Sequence, residues 1–164
     1  MKRGIKVLST LIGLLVLLLI AAQLGVLGGR SPNDLGVTDG RLKPPSPTPN
    51  SVSSQASLYP DHPQRSYAAI DPLPAKPAGQ AASMAALGLA LEQMPGVRVV
   101  ERKENYLYAV ATTRWLKFND DIEAWFDPAR QVIELRSASR LGRKDFGANR
   151  ARVDALRAIY LALP

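Results

Sequence analysis

The sequence contains no cysteine, and that absence removes several chemistries at once. Disulfides, thiolate metal sites and a cysteine nucleophile are excluded. So is a lipid anchor on a cysteine behind the hydrophobic stretch; the compartment itself is left open. Histidine is almost missing too. The only one, His62, lies in a Pro-rich segment. An imidazole-built zinc site and a Ser-His-Asp relay therefore lack their main ligand and base. No G-x-S-x-G elbow, Walker A loop or dinucleotide fingerprint occurs, so no nucleotide or other cofactor is expected. Aromatics are only 6 % of the chain and few stand among the C-terminal arginines. That pattern, with export, argues against nucleic acid as a partner.

What is present is unevenly distributed. The net charge is +7. Lys2, Arg3, Lys6 and Arg30 belong to the N-terminal segment, and much of the remaining excess follows Ile133. Basic character this local fits an anion-facing edge better than a polyanion-coating protein. After Lys6, Val7–Ala22 is uncharged and dominated by Leu, Ile and Val. A helix needs about twenty residues to cross a bilayer core, and Val7–Leu27 supplies them. Positive charge ahead of the helix favours a cytoplasmic N-terminus. The expectation is a single pass through the inner (plasma) membrane, with the remainder on the periplasmic or extracytoplasmic side. The competing reading is a signal peptide cleaved near Ala21-Ala22, leaving a secreted domain. A buried core helix is disfavoured because Leu11–Ile20 has no polar face.

Three regions follow from this: residues 1–29 as membrane anchor or signal segment, 30–77 as a Pro/Ser-rich linker and strap, and 78–164 as a globular domain. Prolines at 44, 45, 47 and 49 oppose both helix and sheet. Ala78–Met94 reads as a helix with Met84, Leu87, Leu91 and Met94 at helical spacing, stopped by Pro95-Gly96. Val97–Arg102 and Tyr106–Thr113 read as strands of a hairpin. Ile122–Phe126 and Gln131–Ser137 read as two more, joined by a turn at Asp127–Arg130. Ala148–Leu163 is the last helix, with Val153, Leu156, Tyr160 and Leu163 as its stripe. The predicted fold is α+β: a small antiparallel sheet of about four strands with two helices on one face, behind one N-terminal hydrophobic helix. The sheet's other face carries Tyr, Trp and charged groups that can bind a partner or ligand.

Two stretches can carry chemistry. Asp120, Asp121 and Glu123 lie close enough along the chain to hold a hard cation or supply an acid/base pair. The simpler alternative is ion pairing with nearby arginines, with Asp121 near Arg136 across the strands, and no calcium-loop spacing is present. The second stretch, Arg136–Arg150, runs from a strand into a helix. Arg136, Ser137, Ser139, Arg140, Asp145, Asn149 and Arg150 can bind an anion through guanidinium forks and backbone N–H groups. The structural alternative has Asp145 or Asn149 capping the helix and the arginines paired with carboxylates.

The stretches LKPPSPTPNSVSS (Leu42–Ser54), KFNDDIE (Lys117–Glu123) and RSASRLGRKDFGANRARV (Arg136–Val153) resemble the domain of unknown function 1499 family, from about Leu42 onward. The resemblance implies an exported domain behind a hydrophobic segment or signal, of bacterial or plastid type, and supplies no activity. Members usually carry a cysteine pair in the first motif; here Pro45 and Ser51 stand at those positions. The strap must then be held by packing and hydrogen bonds, with Asn50, Ser53 and Ser54 as candidates. The functional expectation is a non-catalytic module of the cell envelope that binds an anion, a lipid headgroup or an envelope protein. The alternative is a hydrolase or metal-assisted enzyme using Asp120, Asp121 and Glu123 with Arg136 and Arg140.

Overall fold

The computed structural model describes residues 2–164; Met1, the first residue of the 1–29 segment, lies outside them. Helix α1 spans Lys2–Gln23. At about 1.5 Å per residue it is roughly 33 Å long, enough for a hydrocarbon core of about 30 Å. Arg3–Gln23 is long and apolar enough to cross a bilayer, a property that signal sequences share. Leu11, Leu14, Leu17 and Ile20 are each more than half exposed, so the rest of the chain leaves this surface uncovered.

The folded region is α+β, with an antiparallel sheet of six strands. Helix α3 is Gln80–Gln93 and α4 is Ala148–Ala162; the single-turn α2 is Arg65–Ala68. Strands β3 (Val97–Arg102), β4 (Tyr106–Thr112), β5 (Asn119–Asp127) and β6 (Val132–Ser139) form a meander. The expected count of four is too low. Strands β1 (Ser51–Ser53) and β2 (Leu73–Pro74), both within 30–77, add to β6. Ser51 pairs with Ala138, and Leu73 with Ile133. Strands of two or three residues leave no periodicity in a sequence. Pro74 is tolerated because β2 is a short edge strand.

Alternation decides which side chains meet the helices. Leu107, Ala109 and Ala111 of β4, Ile122, Ala124 and Phe126 of β5, and Ile133 and Leu135 of β6 form one buried face with Met84, Leu87, Leu91, Val153, Leu156 and Tyr160. Burying a side chain of Leu or Phe size stabilises by about 2 kcal/mol, so this layer is the main source of stability. A bulge between Val99 and Glu101 in β3 turns Val100 outward, where it is half exposed. Gly96 ends the helix-to-strand turn with φ +75, and a Cβ there would stand 2.6 Å from the Thr112 carbonyl oxygen. Only glycine fits that approach.

Strand β5 begins three residues earlier than Ile122 and β6 continues to Ser139. Asp and Asn are poor strand formers. Here Asp120 and Asp121 are held in the ladder by arginine partners described next.

Candidate functional site

The face of the sheet turned away from α3 and α4 carries a row of buried charged groups. Register places Glu123 opposite both Tyr108 and Arg136, and Tyr106 opposite Trp125. Glu123 is fully buried. It accepts hydrogen bonds from the Tyr106 hydroxyl at 3.0 Å, the Gly36 backbone N–H at 2.8 Å and Arg136 Nη1 at 3.2 Å. Asp121 pairs with Ala138 across the strands, so its cation is Arg140 and not Arg136. Arg140 grips Asp121 through Nε at 3.0 and 3.1 Å and Nη2 at 2.8 Å. The same Nη2 donates to the Tyr108 hydroxyl at 2.9 Å, which in turn donates to Asp121 at 2.6 Å. Buried Glu134 pairs with Arg130 and accepts from Ser54. Burial, then the hydrogen bond to Asp121, pushes the Tyr108 hydroxyl up to about 12. Burial and the charge of Glu123 move Tyr106 upward as well. The bond to Asp121 raises Arg140 above its ordinary value.

This face is not open. The strap crosses it: Leu42 is almost wholly buried against Tyr106 and Trp125, and the Pro44 carbonyl accepts from Arg136 Nε at 3.3 Å. Gln55 satisfies the strap's backbone by accepting from Leu42 N–H at 2.8 Å and donating to the Gly40 carbonyl at 3.0 Å. Ser51, fully buried, accepts from Ser46 N–H at 2.7 Å. That bond joins the strap to β1 beside Pro45.

The helix face of the sheet holds a second polar assembly at the Ser139 end. Asn149 is fully buried. Its Oδ1 accepts from the Ser137 hydroxyl at 2.6 Å and from Arg152 Nη1 at 2.7 Å. Its Nδ2 lies 2.9 to 3.0 Å from the Asn50 carbonyl, Ser139 Oγ and Asp145. Arg152 reaches on to Asp120 at 2.6 Å. Asp145 caps α4 by accepting from Gly147 and Asn149 N–H groups, although Gly147 itself occupies the N-cap position. Tyr67 also donates to Asp145. Burial alone raises the Asp145 carboxyl, but these hydrogen bonds outweigh it and hold the group below the usual carboxylate range.

The three carboxylates of the first predicted cluster therefore do not converge. Alternation puts Asp120 on the helix face and Asp121 with Glu123 on the other. Among the described residues no group of three His, Cys, Asp or Glu side chains is placed to hold a metal ion. The second stretch divides likewise. Ser137, Ser139, Asp145 and Asn149 belong to the helix-face assembly, and Arg136 and Arg140 to the opposite face. Arg150 joins neither and donates to the carbonyls of Tyr67 and Ala69. Arg152 was not singled out from the sequence, although it lies one turn beyond Asn149 on the same side of a helix.

Two clefts flank Arg140 beside the strap. One, of about 370 Å³, is lined by Arg30, Lys43, Ser46, Arg136, Ser139 and Arg140, with Asp121 in its wall. The other, of about 450 Å³, is lined by Arg98, Tyr108, Thr112, Asn119 and Arg140. Pro32 stands in both walls. Lys43 is paired with Asp34. Arg30 and Arg98 have no carboxylate within 4.0 Å among the described residues.

Fold and site together define a class: an α+β domain whose antiparallel sheet is roofed by a proline-rich strap and carried behind an apolar helix. The particular family is identified by residues 41–159, which match the family described as "Protein of unknown function (DUF1499)"; the chain belongs to it. No curated protein and no solved structure matches the chain.

Proposed function

We propose that this is a non-catalytic domain, tethered by α1 to the inner membrane and facing the periplasmic or extracytoplasmic side, that binds a small anionic group in the clefts beside Arg140. One observation carries the reading. Arg30 and Arg98, both solvent-facing, line adjoining clefts without a carboxylate partner, whereas the arginines behind them are already paired. A paired guanidinium shapes a wall; an unpaired one attracts a phosphate or carboxylate. The tether rests on the length and exposure of α1. The hydrolase alternative needs Asp120, Asp121 and Glu123 to converge, and their separation across the sheet gives it no support.

The test is calorimetric titration of the full chain in detergent with inorganic phosphate and glycerol phosphate. Arg30→Ala and Arg98→Ala should each weaken binding by about tenfold or more, the worth of one hydrogen bond to a charged group. Their melting temperatures should stay unchanged. Absence of binding to both anions, or an affinity in both variants equal to that of the unaltered chain, rejects the proposal.

A further inference from the structure

Two loops at one end of the sheet present aromatic rings to solvent among cations. The β4–β5 loop carries Arg114, Trp115 and Lys117; Trp115 is 66 % exposed, with the Arg114 guanidinium 5.0 Å from its ring centroid. The loop after β6 carries Leu141, Arg143, Lys144 and Phe146; Phe146 is 95 % exposed. Among the described residues none of these four cations has a carboxylate within 4.0 Å. The nearby acids are turned inward, Asp120 to Arg152 and Asp145 to Tyr67 and the α4 cap. The exposed charge of this end is therefore of one sign.

The backbone of both loops is held at a cost. Phe146 has φ +52 and Lys117 φ +55, conformations that residues other than glycine seldom adopt. Such strain persists where the surroundings over-determine it, and it gathers at working surfaces. Phe146 is fixed between Asp145, which accepts from Gly147, and the start of α4. Among the described residues its ring is left almost wholly uncovered.

The end of α1 lies at the same place. Gln23, its last residue, donates to the Trp115 carbonyl at 2.9 Å. The chain then passes between the two loops: Gly28 is packed against Asn119 and Lys117, and Gly29 against Arg140 and Leu141. A helix that spans a bilayer leaves it where these loops begin. Tryptophan and other aromatics favour the headgroup level, and lysine and arginine beside them favour anionic lipid.

We infer that the loops 113–118 and 140–147 form a membrane-docking edge, in which Trp115, Leu141 and Phe146 enter the interface of the bilayer that α1 crosses while Arg114, Lys117, Arg143 and Lys144 meet anionic headgroups. The inference rests on the tether reading and fixes the orientation of the domain: the sheet stands with its Ser139 end on the lipid, and the Arg30 and Arg98 clefts open close to the headgroups.

The chain has two tryptophans, and Trp125 is buried under the strap. The full chain is reconstituted into vesicles of phosphatidylcholine brominated on its acyl chains, with and without phosphatidylglycerol. Bromine quenches tryptophan at the interface. The Trp115 share of the emission should be lost, more so with phosphatidylglycerol, and Trp115→Phe should abolish the loss. Charge reversal at Arg114, Lys117, Arg143 and Lys144 should remove the phosphatidylglycerol effect. Undiminished emission, or quenching that survives Trp115→Phe, overturns the inference. Alkaline extraction of the same vesicles separates the two ways it can fail. Chain that stays with the lipid but is not quenched rejects docking alone, whereas chain released into the supernatant rejects the tether and docking together.

Discussion

Glu123 and Arg136 face each other directly across β5 and β6, both almost wholly buried, with Arg136 Nη1 donating to Glu123 at 3.2 Å. The pair sits where the strap meets the sheet, because Gly36 and Pro44 bind its two ends. Removing one member leaves a buried charge without its partner, at about 3 to 5 kcal/mol. Glu123→Gln and Arg136→Met should each lower stability by roughly that amount in urea unfolding. The double variant should recover most of the loss, since the desolvation cost disappears with both charges. Additive losses would show that the strap contacts, and not the pair, carry the stability.

Asn149 links four segments: the strap at Asn50, β6 at Ser137 and Ser139, the α4 cap at Asp145, and Arg152. Asn149→Ala should cost about 3 kcal/mol, because several buried polar groups lose a partner together. It should also speed hydrogen exchange and proteolysis around Asn50 before the sheet core opens. Uniform exchange across the domain would contradict this local role.

Asp145 sets an acid limb of stability. Its folded value lies below the ordinary 3.8. The unfolded chain therefore binds the proton first as pH falls, and the contribution of this group is complete above 3.8 and lost through the lower folded value. Asp145→Asn should cost roughly 2 kcal/mol at neutral pH and flatten the dependence of melting temperature on pH in that window. An unchanged acid limb would assign it to other carboxylates.

Phe146→Gly separates stability from docking. Relief of the left-handed conformation, roughly 1 kcal/mol, offsets the greater freedom of glycine in the unfolded chain, about 0.5–1 kcal/mol. The melting temperature should hold or rise while Trp115 quenching in brominated vesicles falls. A destabilised variant would mean that the ring packs within the fold after all.

The sequence carried the faces of the long strands well, because Leu107, Ala109 and Ala111 against Tyr106, Tyr108 and Val110 is an alternation that one buried layer enforces. The stripes of α3 and α4 were legible for the same reason. Strands β1 and β2 were not, since Ser51–Ser53 is too short for any period and its pairing is decided by β6. Nearness along the chain groups Asp120, Asp121 and Glu123, and the fold breaks that group. Asp120 and Asp121 are neighbours in sequence but lie on opposite sides of a strand, so each finds a different arginine. The roof over Glu123 could not be read from Gly36, Leu42 and Pro44, whose partners Glu123, Trp125 and Arg136 are all distant in sequence.

Strand β1 has a consequence for the order in which the protein is made. Its partner is β6, which leaves the ribosome only after nearly the whole domain has been synthesised. Strand β1 must therefore wait without its partner until Val132–Ser139 follows it, and closing so long a loop delays folding. The prolines at 44, 45, 47 and 49 suit a segment that waits. They offer no N–H to a passing strand edge and keep the backbone stiff and extended, so the last strand finds its partner still free.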